Sequence, residues 1–115
     1  IWMTRTFIQT TEFSKCWDSF GLDDDDLRRL EYEILTNPKA GPVIRGTGKL
    51  RKMRFSFEGR GKSRSTRVCY VDFPGAGIIY LITIYEKKGK DNLTAAERSS
   101  IRKMIQILER SLTGQ

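Results

Sequence analysis

Ile78 to Ile82 is the longest apolar stretch of the chain, and the run continues almost unbroken to Tyr85. Such a segment has no polar face to turn toward water, so it predicts a strand in a central position, covered on both sides. It is far too short to cross a bilayer, and no transmembrane helix is expected. The segments before it fit a sheet built around that strand. Lys49 to Phe57 alternates, with Met53, Phe55 and Phe57 on one side and Lys52, Arg54 and Ser56 on the other. Gly59-Arg60-Gly61-Lys62 reads as a turn, Ser65 to Phe73 as the next strand, and Pro74-Gly75-Ala76-Gly77 as the turn into Ile78. Together these predict a three-stranded meander.

Helical spacing brackets the meander. After a short strand from Met3 to Ile8, Phe13, Cys16, Trp17 and Phe20 recur on one helical face, with Gly21 as terminator. Asp23 to Asp26 place four carboxylates at the start of a second helix, where they oppose the dipole, and Leu27, Leu30 and Ile34 mark its buried face. A metal loop would interleave its ligands with glycine and a distal glutamate, which this run lacks, so no metal is assigned. Asn37-Pro38 stops the helix, and Gly41, Pro42, Gly46 and Gly48 form a connecting loop. Thr94 to Glu97 has the form of a capping box ahead of Ile101, Met104, Ile105, Leu108 and Leu112, which share a helical face. The order predicts an α+β domain with helices packed on a mostly antiparallel sheet.

The 115 residues suit one domain over residues 3–115. Ile1 and Trp2 are read as remnants ahead of a start at Met3, since two apolar residues make neither a signal nor a transit peptide. Cys16 and Cys69 each fall in an apolar pattern, which predicts reduced, buried thiols and suits a cytoplasmic protein.

The whole net charge of +7 resides between Lys49 and Tyr70, where eight cations face the single anion Glu58. The rest of the chain is neutral, with thirteen cations and thirteen anions. A solubilising surface spreads both signs, so a block of this kind reads as a docking surface for a polyanion, most simply nucleic acid. Tyr70, Tyr80 and Tyr85 have two readings, as core and cross-strand packing or as platforms for stacked bases.

There is no histidine, which removes His-based zinc sites and catalytic triads with an imidazole base. Gly59 to Ser63 lacks the Walker spacing, and a strand rather than a helix follows it. RNA carries its own nucleophile in the 2′-OH, so its cleavage needs alignment, proton transfer and stabilisation of the charged phosphorane. Arg and Lys can supply these without a metal or other cofactor. Residue pattern alone reaches nucleic-acid binding and does not separate a binder from a ribonuclease.

Several segments, in order, resemble the RelE superfamily of toxins from type II toxin-antitoxin systems, in its HigB-like branch. They are Asn37 to Gly41, Gly46 to Arg54, Gly61-Lys62-Ser63 with Arg67 to Tyr70, and Tyr80 to Tyr85 leading through Lys87 to Lys90-Asp91-Asn92-Leu93. The resemblance implies a cytoplasmic, ribosome-dependent mRNA endoribonuclease, an mRNA interferase that inhibits translation by metal-independent 2′-OH attack. The implied partners are a cognate antitoxin, HigA-like with a helix-turn-helix domain, the ribosome and mRNA, with operator DNA reached only through the antitoxin and no membrane. Lys52 and Arg54 then bind and activate substrate, Arg67 stabilises the transition state, and Lys87 gives a phosphate contact or a proton. Lys49, Arg51, Lys62, Arg64, Lys88 and Lys90 would make further RNA contacts.

The chain departs from the pattern in three places. Arg64-Ser65-Thr66 stands where small residues are common, Lys88-Gly89 replaces an Asn-Glu pair, and Asp91 to Gln115 holds no tyrosine. No general base is therefore assigned. Two alternatives of another class are a ParE-like inhibitor of DNA gyrase and a non-catalytic RNA-binding module.

Overall fold

A computed structural model describes residues 4–56, 66–86 and 93–113. The elements follow the expected order: β1 (Thr6–Gln9), α1 (Thr11–Ser19), α2 (Asp24–Thr36), β2 (Arg51–Phe55), β3 (Thr66–Phe73), β4 (Ile78–Glu86) and α3 (Ala95–Thr113). The sheet runs β1-β4-β3-β2, so the apolar strand β4 is internal as its composition demands. The β2-β3 and β3-β4 pairs are antiparallel, whereas β1 lies parallel to β4, with Thr6 opposite Ile78 and Gln9 opposite Leu81. The expected turn at Gly59 to Lys62 lies outside the described residues.

Local chemistry explains the helix ends. Thr10 caps α1 by accepting from the Phe13 amide at 3.1 Å, and its own hydroxyl donates to the Ile82 carbonyl at 2.7 Å. Gly21, with φ of 71°, carries the chain out of α1. At α2 the acidic run is indeed a helix start: Asp23 accepts from the Asp26 amide at 2.9 Å and Asp26 accepts from the Asp23 amide at 3.1 Å. Thr94 and Glu97 form the matching reciprocal pair ahead of α3, at 3.1 and 2.9 Å.

Each face of the sheet has its own core. On one, α1 and α2 bring Phe13, Trp17, Leu30 and Ile34 onto Phe55, Val68, Tyr70, Ile79, Leu81 and Ile84. On the other, α3 packs Ile101, Met104, Ile105, Leu108 and Leu112 against Leu50, Cys69, Val71, Phe73 and Ile82. Ile82 has no partner in the β3-β4 register, which passes from Cys69 opposite Thr83 to Tyr70 opposite Leu81. This bulge lets Ile82 join the α3 side without disturbing the alternation on either flank. Both cysteines are free thiols, Cys69 buried and Cys16 half-buried. No helix among the described residues is long and apolar enough to cross a membrane.

Candidate nucleic-acid interface

The alternation in β2 sends Met53 and Phe55 into the α1-α2 core and leaves Lys52 and Arg54 on the opposite, α3-bearing face. The register sets Arg54 directly opposite Arg67 and Lys52 opposite Cys69. On the next strand Tyr85 lies opposite Arg67, and Thr83 opposite Cys69. A basic row, Lys52, Arg54 and Arg67, therefore borders Thr83 and Tyr85 on one face. Side chains directly opposite in an antiparallel pair have Cβ atoms about 5 Å apart, and like charges there are destabilising. Two guanidinium groups so placed offer donors that one anion can bridge.

The row is less open than its sequence suggests. Arg54 is exposed and Lys52 half-buried, but Arg67 is only 7% exposed. The cations do not lie on an open sheet face: α3 needs an apolar bed, and Leu50, Cys69, Val71 and Ile82 supply it on the very face that carries them. A guanidinium in this setting acts on nearby charge through a lower dielectric than a surface one.

Two expected RNA contacts sit elsewhere. The Lys49 ammonium pairs with Glu109 on α3 and lies 5.6 Å from the Phe73 ring centroid. The Arg51 guanidinium points to the other face, donating from Nη1 to the Gly41 carbonyl at 2.8 Å and the Lys39 carbonyl at 3.3 Å. Lys62, Arg64, Lys87, Lys88 and Lys90 lie outside the described residues. Tyr70 is fully buried, its hydroxyl donating to the Pro38 carbonyl at 2.8 Å and accepting from the Gly41 amide at 3.4 Å. It is a core residue and not a stacking platform. Tyr80 packs edge-on to Phe73, with ring centroids 6.0 Å apart. Of the three tyrosines, Tyr85 alone adjoins the basic row.

Arg51 and Tyr70 share one task, which sequence reasoning missed. Both fasten the turn at Pro38 to Gly41, from which the Pro42 carbonyl accepts the Lys52 amide at 3.1 Å. A Cβ on Gly41 would stand 2.7 Å from the Lys52 carbonyl oxygen, so the backbone of the catalytic candidate requires glycine there.

A groove of about 510 Å³ opens at Tyr85, the cross-strand partner of Arg67, between the end of β4 and the start of α3. Glu12, Thr83, Tyr85, Glu86, Leu93, Ala96, Glu97, Ser100 and Ile101 line it. Thr83 donates its hydroxyl proton to Glu12 Oε2 at 2.7 Å. Cys69, next to this edge, is no nucleophile: burial pushes its thiol up to about 12, with Lys52 opposing and Glu12 reinforcing the rise.

These elements define an α+β RelE-like fold, with three helices among the described residues around a four-stranded, mostly antiparallel sheet. The similarity is to the free state of an arginine-to-alanine double mutant of the E. coli toxin RelE. The two superpose with a TM-score of 0.55 at 17% sequence identity, over 76% of this chain and 88% of that one. No family model matches the sequence.

Proposed function

We propose that this chain is the toxin of a type II toxin-antitoxin system, of the HigB-like kind, and cleaves messenger RNA on the ribosome. The observation that carries the reading is the placement of Arg54 opposite Arg67, with Lys52 on the same face, within a RelE-like fold. In the reaction, the RNA 2′-hydroxyl gives its proton to solvent water as its oxygen bonds to the adjacent phosphorus, the P–O5′ bond breaks with the 5′-oxygen taking up a proton, and a 2′,3′-cyclic phosphate remains. Lys52 and Arg54 hold the phosphodiester, and Arg67, with paired N–H donors in a shielded setting, stabilises the dianionic phosphorane. Lys87 is proposed as the proton source for the leaving oxygen. A cognate antitoxin, HigA-like, would silence the site by covering the basic row, and would alone contact operator DNA.

Purified protein added to a translation extract tests this reading against its alternatives. Protein synthesis should stop with the wild type and persist with Arg67→Ala, while supercoiling by DNA gyrase is unaffected. Inhibited supercoiling with translation intact would move the assignment to a gyrase poison. RNA binding with neither effect would leave a passive binding module.

A further inference from the structure

The groove at Tyr85 differs in chemistry from the basic row it adjoins. Among the described residues its walls include Tyr85, Leu93 and Ile101, and its polar groups are Glu12, Thr83, Glu86, Glu97 and Ser100. About 510 Å³ is ample for a small aromatic ligand. Strands lie about 4.8 Å apart, so a phosphate held over β2 and β3 by Arg54 and Arg67 puts its own nucleoside over β4, where Thr83 and Tyr85 stand.

We propose that this groove is a nucleobase pocket that selects guanine, with Glu12 as the reading residue; the proposal rests on the RNA-directed function above. Thr83 fixes the Glu12 carboxylate through the 2.7 Å hydrogen bond to Oε2, which leaves Oε1 and further lone pairs to accept from a base. Glu97 is less free, because its Oε1 accepts from the Thr94 amide at the start of α3. An ionised carboxylate only accepts. Guanine offers two adjacent donors, N1–H and the N2 amine, which match the two carboxylate oxygens. Adenine and cytosine offer one amine next to an acceptor. Uracil presents N3–H between two carbonyls that the carboxylate repels. The bases therefore rank guanine first and uracil last, with Tyr85, Leu93 and Ile101 packing the faces of any of them.

The test measures binding of hexauridylate, and of hexauridylate carrying one guanosine, adenosine or cytidine, to the full chain. Wild-type protein should favour the guanosine strand over the all-uridine strand by about tenfold, the discrimination expected of a bidentate contact. Glu12→Gln, at an exposed position, replaces an acceptor by a donor and should abolish the guanosine preference while tightening the all-uridine strand. Thr83→Val, which frees Glu12 without removing it, should reduce the preference to about threefold. Unaltered melting temperatures show that both variants fold. Equal binding of the four strands, or a guanosine preference retained in Glu12→Gln, overturns the pocket and leaves the proposed function standing. Failure of wild type to bind any strand overturns the pocket, and the translation-extract assay then decides the proposed function by itself.

Discussion

Arg54 and Arg67 face each other across the β2-β3 ladder, one exposed and the other 7% exposed, so the register sets two like charges side by side. Replacing Arg54 by Thr should stabilise the protein by about 0.5 kcal/mol, because an opposed like-charge pair costs roughly 0.2–1 kcal/mol and Thr suits a strand. Messenger cleavage should fall at least about tenfold in the same variant. Urea denaturation beside a cleavage assay measures both. A loss of stability would mean that the pair has no electrostatic cost.

RNA affinity should fall with salt. Three phosphate contacts to a single strand give a slope of log K against log salt near −2, and Arg67→Ala should reduce its magnitude by about 0.7. Titration of a labelled oligonucleotide across a salt series checks this. An unchanged slope in the variant would place the phosphates away from Arg67.

Lys49 is committed to Glu109, with both side chains partly exposed, at 48% and 40%. Lys49→Ala should cost under about 1 kcal/mol and alter RNA affinity less than about threefold. A larger effect on RNA than on stability would return Lys49 to the interface.

The turn at Pro38 to Gly41 sets the backbone of Lys52. Tyr70→Phe removes a buried hydroxyl that bonds to Pro38 and Gly41 and should cost about 1–2 kcal/mol, while Gly41→Ala meets the Lys52 carbonyl and should cost about 1–3 kcal/mol. Under the proposed function both should lower the cleavage rate more than substrate affinity, since they shift the strand that carries Lys52 and Arg54. Thermal melts with single-turnover kinetics separate the two effects.

The buried Cys69 thiol ties stability to alkaline pH. Its folded value, about 12, lies above its ordinary value of 9.0, so the unfolded chain releases its proton first as pH rises. The contribution is complete below pH 9 and is lost as pH climbs toward 12, at up to about 1.4 kcal/mol per pH unit. Burial raises Tyr70 in the same direction, so Cys69→Ala should flatten the decline without abolishing it. Equilibrium unfolding between pH 8 and 11 reads the difference.

Much of this arrangement is written in local pattern. Met53 and Phe55 against Lys52 and Arg54 announce the two faces of β2, and the apolar run from Ile78 announces the internal strand. The acidic start of α2 and the Thr94-Glu97 pair follow from helix-end chemistry alone. Other features need the folded chain. The burial of Arg67 depends on where α3 finds its apolar bed, and the opposite directions of Arg51 and Lys52 become meaningful only once the Pro38 to Gly41 turn is seen against β2. Nothing in the sequence marks the bulge at Ile82. Glu12 reads as one more acidic residue in a first helical turn, and only the packing of α1 against the end of β4 brings it to Thr83 and the groove.

The most direct measurement maps messenger RNA 5′ ends in a translating extract with wild-type protein, with Arg67→Ala, and without ribosomes. New ends that need both ribosomes and Arg67 are the expected result, with Arg67→Lys failing to restore them because an ammonium cannot replace the planar guanidinium fork. Ends produced equally by Arg67→Ala, or no new ends with translation intact, would contradict the assignment of the Lys52, Arg54 and Arg67 row as the cleavage site.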